Sequence, residues 1–131
     1  MPFTYVIDRE ARLVSVTVSG QVTPEEALKA FDEIVSHSDF RPGMNVLSDH
    51  RQMETLMPTR FVGALISRVR GFREKLSGAK WAMVETSAAG YGMARMASGL
   101  AQAMQVEIQV FHTLEEARLW LIGSGAEATP N

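Results

Sequence analysis

Ser48-Asp49-His50 sets a hydroxyl, a carboxylate and an imidazole side by side, the three groups of a hydrolytic triad. The spacing defeats that chemistry. Consecutive residues of an extended chain point to opposite faces, so these three cannot align as nucleophile, base and orienter. Asp49 and Arg51 admit two other readings. At the carboxyl end of a central strand they would meet a ligand where open α/β sheets bind one. In a turn, Asp49 would bond its own backbone and pair with Arg51 or a neighbouring arginine. The three histidines, His37, His50 and His112, share no helix face, and there is no HExxH-like motif and no cysteine. The sequence therefore predicts no metal site and no thiolate chemistry. With no convergent catalytic set, it predicts a protein that is not an enzyme. The weakest reading is enzymatic, with Asp49, His50 and Tyr91 as acid–base groups.

Gly90-Tyr91-Gly92 is no dinucleotide fingerprint, because Arg95 stands where a third glycine belongs. No cofactor is implied. The stretch could bind an anion or a polar ligand through its backbone, with Arg95 as counter-charge. It could equally pack a glycine-containing helix close to a sheet. Met93, Met96, Leu100 and Met104 follow at helical spacing among Ala94, Ala97, Ala101 and Gly99. Flexible methionines adapt to irregular apolar space, so this stripe is either ordinary core or the wall of a pocket. The candidate ligand site is Asp49, Arg51, Tyr91, Met93, Arg95 and Met96, for a small apolar or anionic ligand.

Charge gives a third lead. Thirteen Lys/Arg against fifteen Asp/Glu make a net charge of −2. Residues 1–58 carry nine acids and five bases, and residues 81–131 carry five and two. Between them, residues 59–80 carry six bases against Glu74 alone. Arg68 and Lys75, counted round the helix from Arg60, flank one edge of an apolar arc of Phe61, Val62, Leu65, Ile66, Val69, Phe72 and Leu76, while Arg73 sits within its other end and Arg70 just beyond. Long basic stems beside an apolar stripe suit a solvated amphipathic helix, or a contact surface for an acidic partner or a second subunit. The cations are split between two edges without exposed aromatics, which argues against nucleic acid.

The elements that must position these residues are legible. Phe3–Ile7 and Leu13–Ser19 alternate with period two around a polar break, as an antiparallel hairpin does. Thr23-Pro24-Glu25-Glu26 opens a helix with a capping box and fades near His37-Ser38. Phe40-Arg41-Pro42-Gly43 is a turn. Met44–Leu47 is a short buried strand, left by the polar Ser48–Arg51 and a loop from Gln52 to Met57. Pro58 opens a second helix ending near Leu76-Ser77-Gly78. Trp81–Val84 is another buried strand, and Ser87 starts a third helix running to about Met104. Val106, Ile108 and Val110 alternate as a candidate edge strand, and Thr113–Glu116 caps a last helix. Residues 123–131 read as a disordered tail behind a domain spanning 1–122. Alternation after the hairpin implies a largely parallel sheet with helices covering its faces. No run approaches the ~20 apolar residues of a membrane span, and the charged start is no signal peptide, so a cytoplasmic protein is expected.

The order of elements resembles the STAS domain of bacterial anti-sigma-factor antagonists, and more closely the small SpoIIAA-like proteins. The residues that carry the resemblance are Val16–Gly20, Phe40–Gly43, Leu47–Arg51, Gly90–Arg95, and Val110-Phe111 with Glu116-Ala117 and Trp120-Leu121. It implies an α/β fold with a mixed sheet of about five strands and about four helices. It also implies a non-enzymatic regulatory or protein-interaction module, with a protein partner or self-association as a homodimer. In anti-sigma-factor antagonists a serine opening the helix after the third strand is phosphorylated. Here that stretch reads Met57–Leu65, the Asp-Ser pair is missing, and Thr59 is the hydroxyl in the first turn. A phosphate there would meet free backbone N–H groups; the plainer reading is a solvated helix start.

Overall fold

Phe3–Asp8 (β1) and Leu13–Gly20 (β2) pair antiparallel, with Tyr5 opposite Val16. The structure, a computed structural model, describes residues 2–126, with side chains to residue 123. After the hairpin every strand runs parallel. Asn45–Met53 (β3) lies beside β2, Lys80–Val84 (β4) beside β3, and Glu107–Phe111 (β5) beside β4. The sheet order is β1-β2-β3-β4-β5, so β5 is an edge, as its alternation predicts.

Local chemistry explains the helices. Pro24–Ser36 (α1) opens on a complete capping box: Thr23 Oγ1 accepts from Glu26 N at 3.1 Å, and Thr23 N donates to Glu26 Oε1 at 2.9 Å. Thr59–Gly71 (α2) follows Pro58, and Ala88–Ala101 (α4) starts on Ser87, whose hydroxyl accepts from Gly90 N. Leu114–Ala126 (α5) is capped by Thr113 Oγ1, which accepts from Glu116 N at 3.1 Å. The expected α/β fold, with a five-stranded mixed sheet and four longer helices, is what the chain adopts.

Parallel strands laid down in sequence order send every right-handed crossover to the same face. The core accordingly packs Val35 of α1, Val69 of α2 and Ala97 of α4 against Val16, Val46, Trp81 and Ile108 of the sheet. Among the described residues the opposite face is covered by α5, through Ala117 and Leu121 on Leu47, Ala82 and Val84. Over the hairpin that face is open, and Val6 is 67% exposed.

Four expectations need correction. The third strand does not stop at Leu47 but continues to Met53, because backbone pairing with β2 needs no apolar side chain: Thr17 faces Asp49 and Gly20 faces Met53 across a bulge. The Gln52–Met57 loop is correspondingly shorter. The second helix breaks at Phe72 (φ −112°, ψ 20°), and Arg73–Leu76 forms a separate turn, α3. The helices do not cover both faces evenly, for the topological reason above. Finally, α5 runs on to Ala126, into residues expected as tail; the rest of that expected tail, 127–131, lies outside the described residues.

Candidate functional site

Strand parity builds the site. Val46, Ser48 and His50 alternate onto the face of β3 that lies under α1, α2 and α4. On β4, Trp81 and Met83 share that face, and Glu85 follows directly after the strand. Between this sheet face and the three helices is an apolar cavity of about 150 Å³. Phe31, Phe61, Leu65, Trp81, Met93 and Ala97 are among its walls. Among the described residues its polar side chains are Ser48, His50 and Glu85, toward the carboxyl ends of β3 and β4.

These three are already organised. His50 Nδ1 and Glu85 Oε2 stand 2.6 Å apart, with the two side chains 18% and 9% exposed. Such a carboxylate fixes the imidazole's orientation by accepting from Nδ1–H, the tautomer in which Nε2 is the acceptor. Ser48 Oγ accepts the Trp81 indole N–H at 2.9 Å. Among the described residues no hydrogen bond joins Ser48 to His50, so the nucleophile–base contact of a hydrolytic triad is not formed. Gly90 makes room for Glu85. A methyl group there would lie 2.5 Å from Glu85 Oε1 and 2.8 Å from Ser87 Oγ. The first turn of α4 thus rests on the carboxylate, whose charge suits a helix amino end.

The residues singled out in the sequence are scattered around this centre. Met93 lines the cavity. Asp49 and Arg51 point to the other face of β3 and bind each other. Asp49 Oδ1 accepts from Arg51 N and Nε, and Oδ2 from Arg51 Nη2 at 2.8 Å. The Arg51 guanidinium holds the Asp49 carboxyl below the usual range. This is the pairing with Arg51 that the turn reading expected. Tyr91 stacks on His112 with ring centroids 4.5 Å apart, Arg95 is exposed, and Met96 is 44% exposed. None of the three reaches the cavity. Asp49, His50 and Tyr91 do not converge, and no group of three metal-ligating side chains converges among the described residues.

The basic helix also divides. Arg68 pairs with Asp32 of α1, and Lys75 Nζ donates to Val35 O at 2.6 Å at the carboxyl end of α1. Arg60, Arg70 and Arg73 are exposed and form no ion pair among the described residues. Thr59 is exposed on the first residue of α2. Glu85 and Ser48 line the cavity but are not among the binding residues that the sequence suggests. The available signal was a lone acid after the all-apolar Trp81–Val84, five residues before Gly90.

A family model described as SpoIIAA-like matches residues 13–122. The chain belongs to the SpoIIAA-like family. Among solved structures, a SpoIIAA-like relative in fold is an uncharacterized protein from the DUF3478 family of Shewanella loihica. It is 14% identical, with a TM-score of 0.60, and the alignment covers 91% of this chain and 93% of that one. At that identity the likeness speaks for the fold. No functionally curated protein matches the chain. The SpoIIAA-like family match leaves β1 outside its bounds, although β1 pairs along most of β2. Among the described residues no helix is long and apolar enough to cross a membrane.

Proposed function

We propose that this SpoIIAA-like chain is a non-enzymatic regulatory module of the STAS-like type that holds a small ligand between its sheet and α1, α2 and α4. The observation that carries the reading is the apolar cavity with its polar side chains gathered at one end. An engineered apolar cavity of comparable size takes up benzene or xenon, so the space suits a ligand with a compact apolar body. Small-molecule sites combine such apolar walls with a few placed polar groups. Met93 supplies an adaptable wall.

Native mass spectrometry of the purified protein is the first test, since it reads a retained small molecule and a homodimer in one spectrum. Toluene titration followed by amide NMR is the second. Shifts are expected at Val46, Met83, Met93 and Ala97, and Ala97→Leu, which fills the cavity, weakens binding at least about tenfold. No retained mass together with no shift at those amides overturns the reading.

Arg60, Arg70 and Arg73 favour a second role beside the first. Three exposed guanidiniums on α2 and α3 suit an acidic protein partner. Phosphorylation at Thr59 would add negative charge next to Arg60 and oppose that contact.

A further inference from the structure

We infer that the cavity selects a hydroxyl-bearing apolar ligand, an alcohol or phenol, and rejects carboxylates of the same shape. The inference rests on the ligand-binding reading above and assigns its polar group. Every titratable side chain on the cavity wall is in one pair, His50 and Glu85. Facing that pair, α1, α2 and α4 contribute apolar side chains such as Phe31, Phe61 and Met93. Among the described residues no lysine or arginine lines the space. An incoming carboxylate would therefore leave water to stand beside the Glu85 carboxylate, in surroundings that screen repulsion poorly. Glu85 also decides what His50 offers. Its Oε2, 2.6 Å from Nδ1, accepts from Nδ1–H, so the neutral imidazole keeps its proton on Nδ1 and offers Nε2 as a lone-pair acceptor. The group that satisfies such an acceptor is a donor, and a hydroxyl supplies one without bringing charge. The third polar group, Ser48, is occupied by the Trp81 indole at 2.9 Å. Its own proton remains free to donate to the same ligand oxygen. Hydrogen-bonding sites of this kind reject analogues that leave a buried partner unpaired.

The test uses three probes of one shape, toluene, benzyl alcohol and benzoate, on the whole chain at pH about 8. Affinities come from amide NMR titration, and the imidazole nitrogens of His50 are observed directly. Benzyl alcohol is expected to bind at least about tenfold more tightly than benzoate. It is also expected to shift the Nε2 resonance of His50, which toluene leaves in place. In Glu85→Gln, which keeps an acceptor for Nδ1–H but removes the charge, the gap between benzyl alcohol and benzoate narrows. Benzoate binding as tightly as benzyl alcohol overturns the inference and leaves the ligand-binding reading standing. So does an Nε2 resonance unmoved by benzyl alcohol that binds. If none of the three binds, the ligand-binding reading falls and the inference with it. The nitrogen readout needs only the unmodified protein, so a Glu85→Gln chain that does not fold leaves the test intact.

Discussion

Two glycines four residues or fewer from the start of α4 differ in what a methyl group would meet. At Gly90 it would collide with Glu85 Oε1 and Ser87 Oγ. The carboxylate cannot simply swing away, because His50 holds its other oxygen. Gly90→Ala is therefore expected to cost about 1–3 kcal/mol and to break the His50–Glu85 contact, read by urea unfolding and by the His50 ring resonances. Gly92 is exposed and nothing lies within 4 Å of its added carbon. Gly92→Ala is expected to stabilise by about 0.5–1 kcal/mol, because only the unfolded chain loses freedom. Equal effects at the two sites would contradict the packing described. Parity governs the rest of this scale. Asp49 and His50 are neighbours in sequence, yet one binds Arg51 on one face of β3 and the other binds Glu85 on the opposite face.

At the scale of elements, α1 is held at both ends. Its amino end carries the reciprocal Thr23–Glu26 cap. Its carboxyl end receives Lys75, whose ammonium donates to Val35 O and lies 5.6 Å from the Phe40 ring centroid. Thr23→Ala is expected to cost about 1 kcal/mol, measured by chemical denaturation with an unchanged slope, while Thr23→Ser restores most of it. The second helix shows how tertiary contacts sort an apparent surface. Of its five basic residues with α3, Arg68 and Lys75 join α2–α3 to α1, and Arg60, Arg70 and Arg73 face outward. Helical periodicity puts Arg68 and Lys75 at one edge of the apolar arc, and Arg73 and Arg70 at the other. It does not tell which flank meets α1, because that depends on a neighbour far away in sequence.

For the whole molecule, sequential parallel pairing makes one side of the sheet thick and the other thin. Three helices pack over one face and α5 over part of the other. The centre of β3 and β4 is sandwiched, so amides of 46–49 and 82–84 are expected to exchange with solvent most slowly. Those of β1, an edge strand with Val6 exposed, are expected to exchange much faster in a hydrogen-exchange experiment; equal protection would argue against this layering. Strand alternation, capping boxes and the Pro-Gly turn are local signals, carried by residues a few positions apart, and from them the α/β class, the hairpin and most element limits are readable in the chain alone. The polar half of β3 is not, because its pairing partner is the backbone of β2. Nor is the polar pair of the cavity: His50 and Glu85 lie 35 residues apart, and their contact depends on β3 and β4 lying side by side in one register, with α4 folding its Gly90 turn over the carboxylate. Local periodicity chooses the elements; long-range packing chooses which of their side chains meet.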